Sequence, residues 1–165
     1  MKDERYCKLN HIMHQKKRYR ILVTAFDKMV TLLTAASYPL LLAYLYFKRT
    51  EWLIPMILVP GFGFLAITLI RGGINARRPY EVLGYEPVIP KDTTGNGFPS
   101  RHAFSVFMIA VTYYFIDPGC GALVGFMGVL LCVLRVLGGV HYIRDVVAGA
   151  AAAMIYGFLC YFMIL

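Results

Sequence analysis

The sequence contains no C-x-x-C pair. Its four cysteines, Cys7, Cys120, Cys132 and Cys160, stand far apart, and two of them lie inside apolar runs. That spacing excludes a disulfide framework and a zinc site alike. No internal repeat and no low-complexity tract interrupts the chain. The first apolar run lacks a small-residue cleavage pattern, so the basic stretch ahead of it, "KLNHIMHQKKRYR", is expected to be retained rather than removed as a signal peptide.

Apolar residues, by contrast, are plentiful. They make up 59% of the 165 residues and fall in long runs, and the mean hydropathy is +0.61. This is the composition of a membrane protein rather than of a soluble domain. The runs follow one another too closely for a separate soluble module, so a basic arm over residues 1–20 and one membrane-embedded domain over residues 21–165 are expected. The net charge of +8 does not indicate a nucleic-acid partner, because the basic residues lie beside the apolar runs instead of along a soluble face. Anionic lipid headgroups are the partner such an arm fits.

A helix needs about 20 mostly apolar residues to cross a bilayer. Five candidate spans meet or approach that length: residues 21–47, 52–70, 100–116, 120–140 and 145–165. The fold class expected is therefore an all-α, polytopic transmembrane bundle. Pro39 marks a possible kink in the first span, Trp52 an interfacial residue at the second, and "AGAAAAMIYG" a close-packing face in the last. Packing of that face within the protomer is expected ahead of a dimer contact, and the oligomeric state is not readable. The one long connection, residues 71–99, is rich in Gly, Pro and charge, with a short surface helix expected at "YEVLGYEPVI". A loop of that length between tightly linked helices is functional or disordered.

Polar residues gather at the ends of spans two to five: Arg71, Arg78, Arg101, His102, Arg135, His141 and Asp145. Taken singly, each has an ordinary reading, an Arg as a snorkelling anchor or a His as a hydrogen-bonded core residue. Arg135 resists it, because apolar residues flank it on both sides and a guanidinium inside a span needs a partner or a pathway role. His141 and Asp145 are four residues apart, the spacing at which a helical carboxylate orients an imidazole. The same pair could be half of a metal site, but no further carboxylate or cysteine cluster of suitable spacing accompanies it, so no metal and no cofactor is expected. Converging guanidiniums suit a phosphate, an Asp-backed His suits a nucleophile or general base, and a second His can protonate a leaving group.

These residues form three ordered motifs: "RGGINARRP" reads R-x6-R-P through Arg71, Arg78 and Pro79; "PSRH" covers Pro99 to His102; "RVLGGVHYIRD" reads R-x5-H-x3-D through Arg135, His141 and Asp145. The chain thereby resembles the integral membrane branch of the type 2 phosphatidic acid phosphatase superfamily, whose motifs read K-x6-R-P, P-S-G-H and S-R-x5-H-x3-D. The resemblance implies that His141 attacks phosphorus and becomes a phosphohistidine while Asp145 holds its ring. It implies that His102 protonates the leaving group and then activates water. Arg71, Arg78 and Arg135 would hold the phosphoryl oxygens, and Ser100 would hydrogen-bond one of them. Three departures stand out: Arg71 for the usual Lys, Arg101 for Gly, where the guanidinium adds a further phosphate contact, and Leu134 for Ser.

The family's membrane members usually place three spans before the first motif; here there are two. With the arm in the cytoplasm, two crossings return the catalytic loop to the same side, and fifteen of the seventeen Lys and Arg residues share it, leaving only Lys48 and Arg49 opposite. Positive-inside therefore favours a cytoplasmic active site, in what a compact chain of this kind suits best, a prokaryotic plasma membrane. The expected substrate is a lipid phosphate or diphosphate of the phosphatidic acid, phosphatidylglycerophosphate or undecaprenyl diphosphate class. Two other readings are a catalytically silent relative that binds lipid phosphates, and a transporter accessory, against which the missing repeat argues.

Overall fold

The computed structural model describes residues 2–15, 17–91 and 93–164, without the side chains of residues 2–5, 9, 14 and 15. Residues 1 and 16 of the arm and residue 165 of the last expected span lie outside the described residues. Seven helices follow in order: α1 (Lys2–Gln15), α2 (Lys17–Lys48), α3 (Thr50–Ile74), α4 (Pro79–Leu83), α5 (Arg101–Ile116), α6 (Pro118–Leu137) and α7 (Ile143–Ile164). No strand occurs among the described residues. Four helices, α2, α3, α6 and α7, are long and apolar enough to cross a membrane, and α5 is a shorter apolar helix. The five expected spans thus form as helices, with ends displaced by a few residues.

The place of α5 explains how 16 residues suffice. It packs against α6 and α7 most extensively and against α2 and α3 as well. Val106 and Ala110 join a core with Val30 of α2 and Val124 and Leu131 of α6. Phe104, Met108 and Val111 face a second core built from Leu41, Met56, Ile67, Ala153 and Tyr161. A helix apolar on all sides is an interior helix, and its neighbours carry the lipid-facing surface. That surface is an apolar belt with Leu40, Phe47, Phe62, Leu69, Phe126 and Phe162 all well exposed.

Prolines inside α2 and α3 leave carbonyls without their helical donors, and for Pro60 a neighbouring side chain supplies a substitute. Pro60 has no N–H to offer the Met56 carbonyl, which instead accepts a hydrogen bond of 2.6 Å from the Tyr38 hydroxyl of α2. One turn on, the Tyr156 hydroxyl of α7 donates to the Val59 carbonyl at 3.1 Å. In lipid an unmatched carbonyl costs roughly several kcal/mol, so the Tyr38 bond makes Pro60 tolerable, while the Tyr156 bond ties α7 to α3. Pro39 lies within a continuous α2.

Small residues set the closest approaches. A Cβ on Gly149 of α7 would meet the Ser100 carbonyl at 2.4 Å, and one on Gly121 of α6 would meet the Tyr114 backbone at 2.5 Å. Gly149, Ala150, Ala153 and Gly157 are buried inside the protomer, so the small-residue face of the last helix serves the bundle itself.

The arm, α1, folds back over one end of this bundle, with contacts to α2, α4 and α6. The Tyr6 hydroxyl accepts a hydrogen bond from Ile143 N at 3.1 Å, and its ring meets Tyr142 edge-on. The long connection closes the same end: Arg20 pairs with Glu86 at 3.3 Å, and Thr24 donates to the Val88 carbonyl at 3.4 Å. The short surface helix is α4, five residues long, stopped by Gly84 at φ 68°.

Arg135 finds its partner across the bundle. Its Nε lies 2.7 Å from Asp27 Oδ1 of α2, with both side chains buried. A buried pair is costly to break and not costly to replace whole. Asp27→Leu is expected to destabilise the protein by about 3–5 kcal/mol, seen as a lower Tm in detergent, and adding Arg135→Leu is expected to restore most of that loss.

Candidate active site

At the end closed by the arm and the long connection lies a cavity of about 330 Å³, walled by Arg71, Arg78, Lys91, Arg101, His102 and His141, together with Thr68, Gly72 and the 93–96 loop. Each residue arrives there for a local reason. Arg71 sits in the last turn of α3, buried, and lines the cavity there. Arg78 begins α4, and its Nε donates to the Gly95 carbonyl at 3.0 Å. Glu81 fastens the loop in return: Gly95 N donates to its two carboxylate oxygens at 2.8 and 3.0 Å. Gly95 takes a left-handed φ of 64°, which a side chain would strain.

Arg101 and His102 occupy the first turn of α5, so the unpaired N–H groups and positive end of that helix face the cavity as well. Ser100, fully buried, caps this helix by accepting from Ala103 N at 3.5 Å. Its own N–H donates to the Asp145 carbonyl at 2.8 Å, which ties the start of α5 to the start of α7.

His141 lies in the tight connection between α6 and α7, where Gly139 at φ 73° turns the chain. Its Nδ1 stands 3.5 Å from Asp145 Oδ2, and each side chain is 1% exposed. The same carboxylate oxygen accepts from Tyr142 N at 2.9 Å, which fixes its position. With Nδ1 turned to Asp145, Nε2 is the nitrogen left for the cavity. The 3.5 Å separation is long for a hydrogen bond, as is common for catalytic pairs without substrate.

The structure thus brings Arg71, Arg78, Arg101, His102 and His141 onto one wall, with Asp145 directly behind His141. Ser100 and Arg135 stand just off that wall, one capping α5 and the other held by Asp27. Two further participants escaped the reading of the sequence. Lys91 adds a cation to the cavity from the long loop, where nothing in its local pattern sets it apart. Asp27 was visible as a carboxylate in an apolar span, and that anomaly was the available signal for a buried partner.

Electrostatics follow from this crowding. Lys91 is held below the ordinary lysine value by burial first and then by Arg78 and the neighbouring arginines. His141 is likewise pushed below its usual 6.5, by burial first, against the opposing pull of the Asp145 carboxylate. Among the described residues no group of three or more His, Cys, Asp or Glu side chains could hold a metal ion.

An interior helix whose start meets a buried His and Asp pair among arginines, all within a transmembrane bundle, defines a class of membrane-embedded phosphate-handling proteins. Residues 52–165 match the model of the PAP2 superfamily, and the chain belongs to that superfamily. Among solved structures it is similar to LpxE from Aquifex aeolicus, at 22% identity over 96% of this chain and 93% of that one, with a TM-score of 0.74. It is also similar to the transmembrane PAP2 type phosphatidylglycerolphosphate phosphatase from Bacillus subtilis, at 22% identity over 96% and 91% of the two chains, with a TM-score of 0.65. No curated protein sequence matches the chain. The chain thus has the PAP2 superfamily as its family and shares its fold with these two solved structures.

A depressed pKa favours the neutral imidazole, so His141 is expected to be uncharged at pH 6.5 and to gain its proton only below it. Asp145→Asn removes the group that pulls the value back up, and is expected to move the titration lower still. NMR of histidine-labelled protein in detergent reads both.

Proposed function

We propose that this protein is a metal-independent phosphatase of a lipid phosphate or diphosphate, working through a phosphohistidine. The observation that carries the reading is the buried His141 and Asp145 pair opening onto a cavity rich in guanidiniums at one end of a membrane bundle. In this mechanism Nε2 of His141 attacks phosphorus while the arginines hold the equatorial oxygens. The bond from phosphorus to the leaving oxygen breaks, and His102 gives that oxygen its proton. Water then attacks the phosphohistidine, His102 takes the proton from the water, and phosphate leaves with His141 restored. Asp145 keeps the ring oriented and balances the positive imidazole. Ser100 acts by starting α5 in place, and Arg135, held by Asp27, adds positive potential from behind the wall.

A second feature supports a lipid substrate. Along α3 and α5, one turn beyond the phosphate cavity, runs an apolar groove of about 390 Å³ between α2, α3 and α5. Phe64 lines it and also lies under the Arg101 guanidinium, 5.5 Å from ring centre to cation, so groove and cavity meet at that residue. A hydrocarbon chain in the groove would leave its phosphate at His141.

The site is read as cytoplasmic. The basic arm and the catalytic loop share one end of the bundle, and Lys48 and Arg49 stand at the other, which is the asymmetry positive-inside selects. A prokaryotic plasma membrane is the setting proposed.

Phosphate release by detergent-purified protein in EDTA, from phosphatidic acid, phosphatidylglycerophosphate and undecaprenyl diphosphate, tests the activity. Release from at least one lipid is expected, with His141→Ala lowering it by about 10³-fold or more. Silence on all three from folded protein would instead leave a binder of lipid phosphates. Gly61 lines the groove and a Cβ there meets nothing within 4 Å. Gly61→Phe is therefore expected to fold normally and raise KM for long-chain substrates, with short-chain substrates unaffected.

A further inference from the structure

The turn that carries His141 is held by segments far from it in sequence. Residues 138–142 connect α6 to α7. On the α6 side the turn closes on its own backbone, with Gly139 N donating to the Val136 carbonyl at 3.0 Å and Val140 N to the Arg135 carbonyl at 3.2 Å. The long connection adds two bonds: Ile89 N donates to the Gly138 carbonyl at 3.2 Å, and the Tyr85 hydroxyl to the Gly139 carbonyl at 3.0 Å. Asn10 of the arm, 5% exposed, packs on the same glycine, where a Cβ would stand 2.7 Å from its Nδ2 and 2.9 Å from the Tyr85 ring.

The arm's other hold falls directly after His141. The Tyr6 hydroxyl accepts from N of Ile143, the first residue of α7, and the Tyr6 ring meets the Tyr142 ring edge-on with 5.1 Å between centres. Tyr142 N donates at 2.9 Å to Asp145 Oδ2, the oxygen that faces His141 Nδ1. A line of contacts therefore runs from Tyr6 through Tyr142 to the Asp145 carboxylate and the imidazole. Ile143 N is one of the donors that a helix start leaves without an internal partner, so water can replace the Tyr6 hydroxyl there. Water cannot replace the ring, whose edge-on packing fixes both the distance and the angle of Tyr142.

We propose that Tyr6 is a positioning residue for His141, so that the amino-terminal arm is a working part of the active site and its ring contact with Tyr142 sets the aim of the nucleophile. The inference rests on the phosphatase reading. Tyr6 does not line the cavity, so its influence reaches phosphate only through the His141 turn. Aim matters at the moment of attack and not for holding substrate, which assigns the effect of Tyr6 to kcat and leaves KM alone.

Full-length Tyr6→Ala protein in detergent is assayed on whichever of phosphatidic acid, phosphatidylglycerophosphate and undecaprenyl diphosphate the wild type hydrolyses. The expected result is a kcat lower by about tenfold, with KM within about twofold of wild type. Tyr6→Phe keeps the ring and is expected to stay within about threefold of the wild-type kcat. Ring NMR of histidine-labelled protein reads the same role without turnover. In Tyr6→Ala the His141 signals are expected to shift and those of His102 to stay, because α1 packs on α2, α4 and α6 and, among the described residues, not on α5. An unchanged kcat, a change in KM with kcat kept, or His102 signals that shift as far as those of His141 would overturn the positioning role. If none of the three lipids is hydrolysed while the His141 signals still shift alone, the phosphatase reading fails and the positioning stands; wild-type turnover by Tyr6→Ala sinks the positioning alone.

Discussion

The hydrogen bond from Ser100 N to the Asp145 carbonyl, 2.8 Å long, joins the starts of α5 and α7, and the cavity end of the bundle depends on it. It is possible only because Gly149 has no Cβ, which would stand 2.4 Å from the Ser100 carbonyl. With the two helix starts held together, His102 on α5 and His141 before α7 line the same cavity. The rest of the fold protects that junction. An interior α5, covered by four neighbours, cannot tilt or slide without opening both cores.

Charge imposes the second constraint. A bundle end in a membrane gives guanidiniums little water, and in low dielectric their repulsion is strong. Two buried carboxylates answer it from behind the cavity wall. Asp27 pairs with Arg135, and Asp145 backs His141. Neither lines the cavity, so among the described residues no carboxylate faces the inward-pointing cations. Crowding of like charge at one site costs stability, a common bargain at functional sites. Glu81 belongs to the same design, since it spends its charge on the Gly95 backbone and holds the loop open beside Arg78 instead of neutralising it.

The lipid side follows from the same helices. Phe64 and Thr68 are one turn apart on α3, and Arg101 and Ser105 one turn apart on α5, so apolar groove and charged cavity are successive stretches of one furrow. Residues with opposite preferences are thereby stacked along the helix axes, apolar then charged. Pro60 of α3 takes part in shaping this furrow, and the Tyr38 hydroxyl supplies the Met56 carbonyl that Pro60 leaves unmatched.

Much of this was legible in the chain. Long apolar runs determined helices because lipid leaves the backbone no other partner, and the five spans differ from the observed helices only at their ends, where capping and fraying decide. The R-P, S-R-H and H-x3-D spacings singled out Arg71, Arg78, Arg101, His102, His141 and Asp145, since short-range spacing is a property of sequence. Partnerships between distant segments were not legible. That Arg135 answers to Asp27, that Ser100 caps a helix and ties it to α7, and that Lys91 joins the cavity are matters of which helix faces which. Sequence determined the kinds of side chain and the segments that carry them; tertiary packing alone decided which of those charges were paired in the interior and which were left facing the cavity.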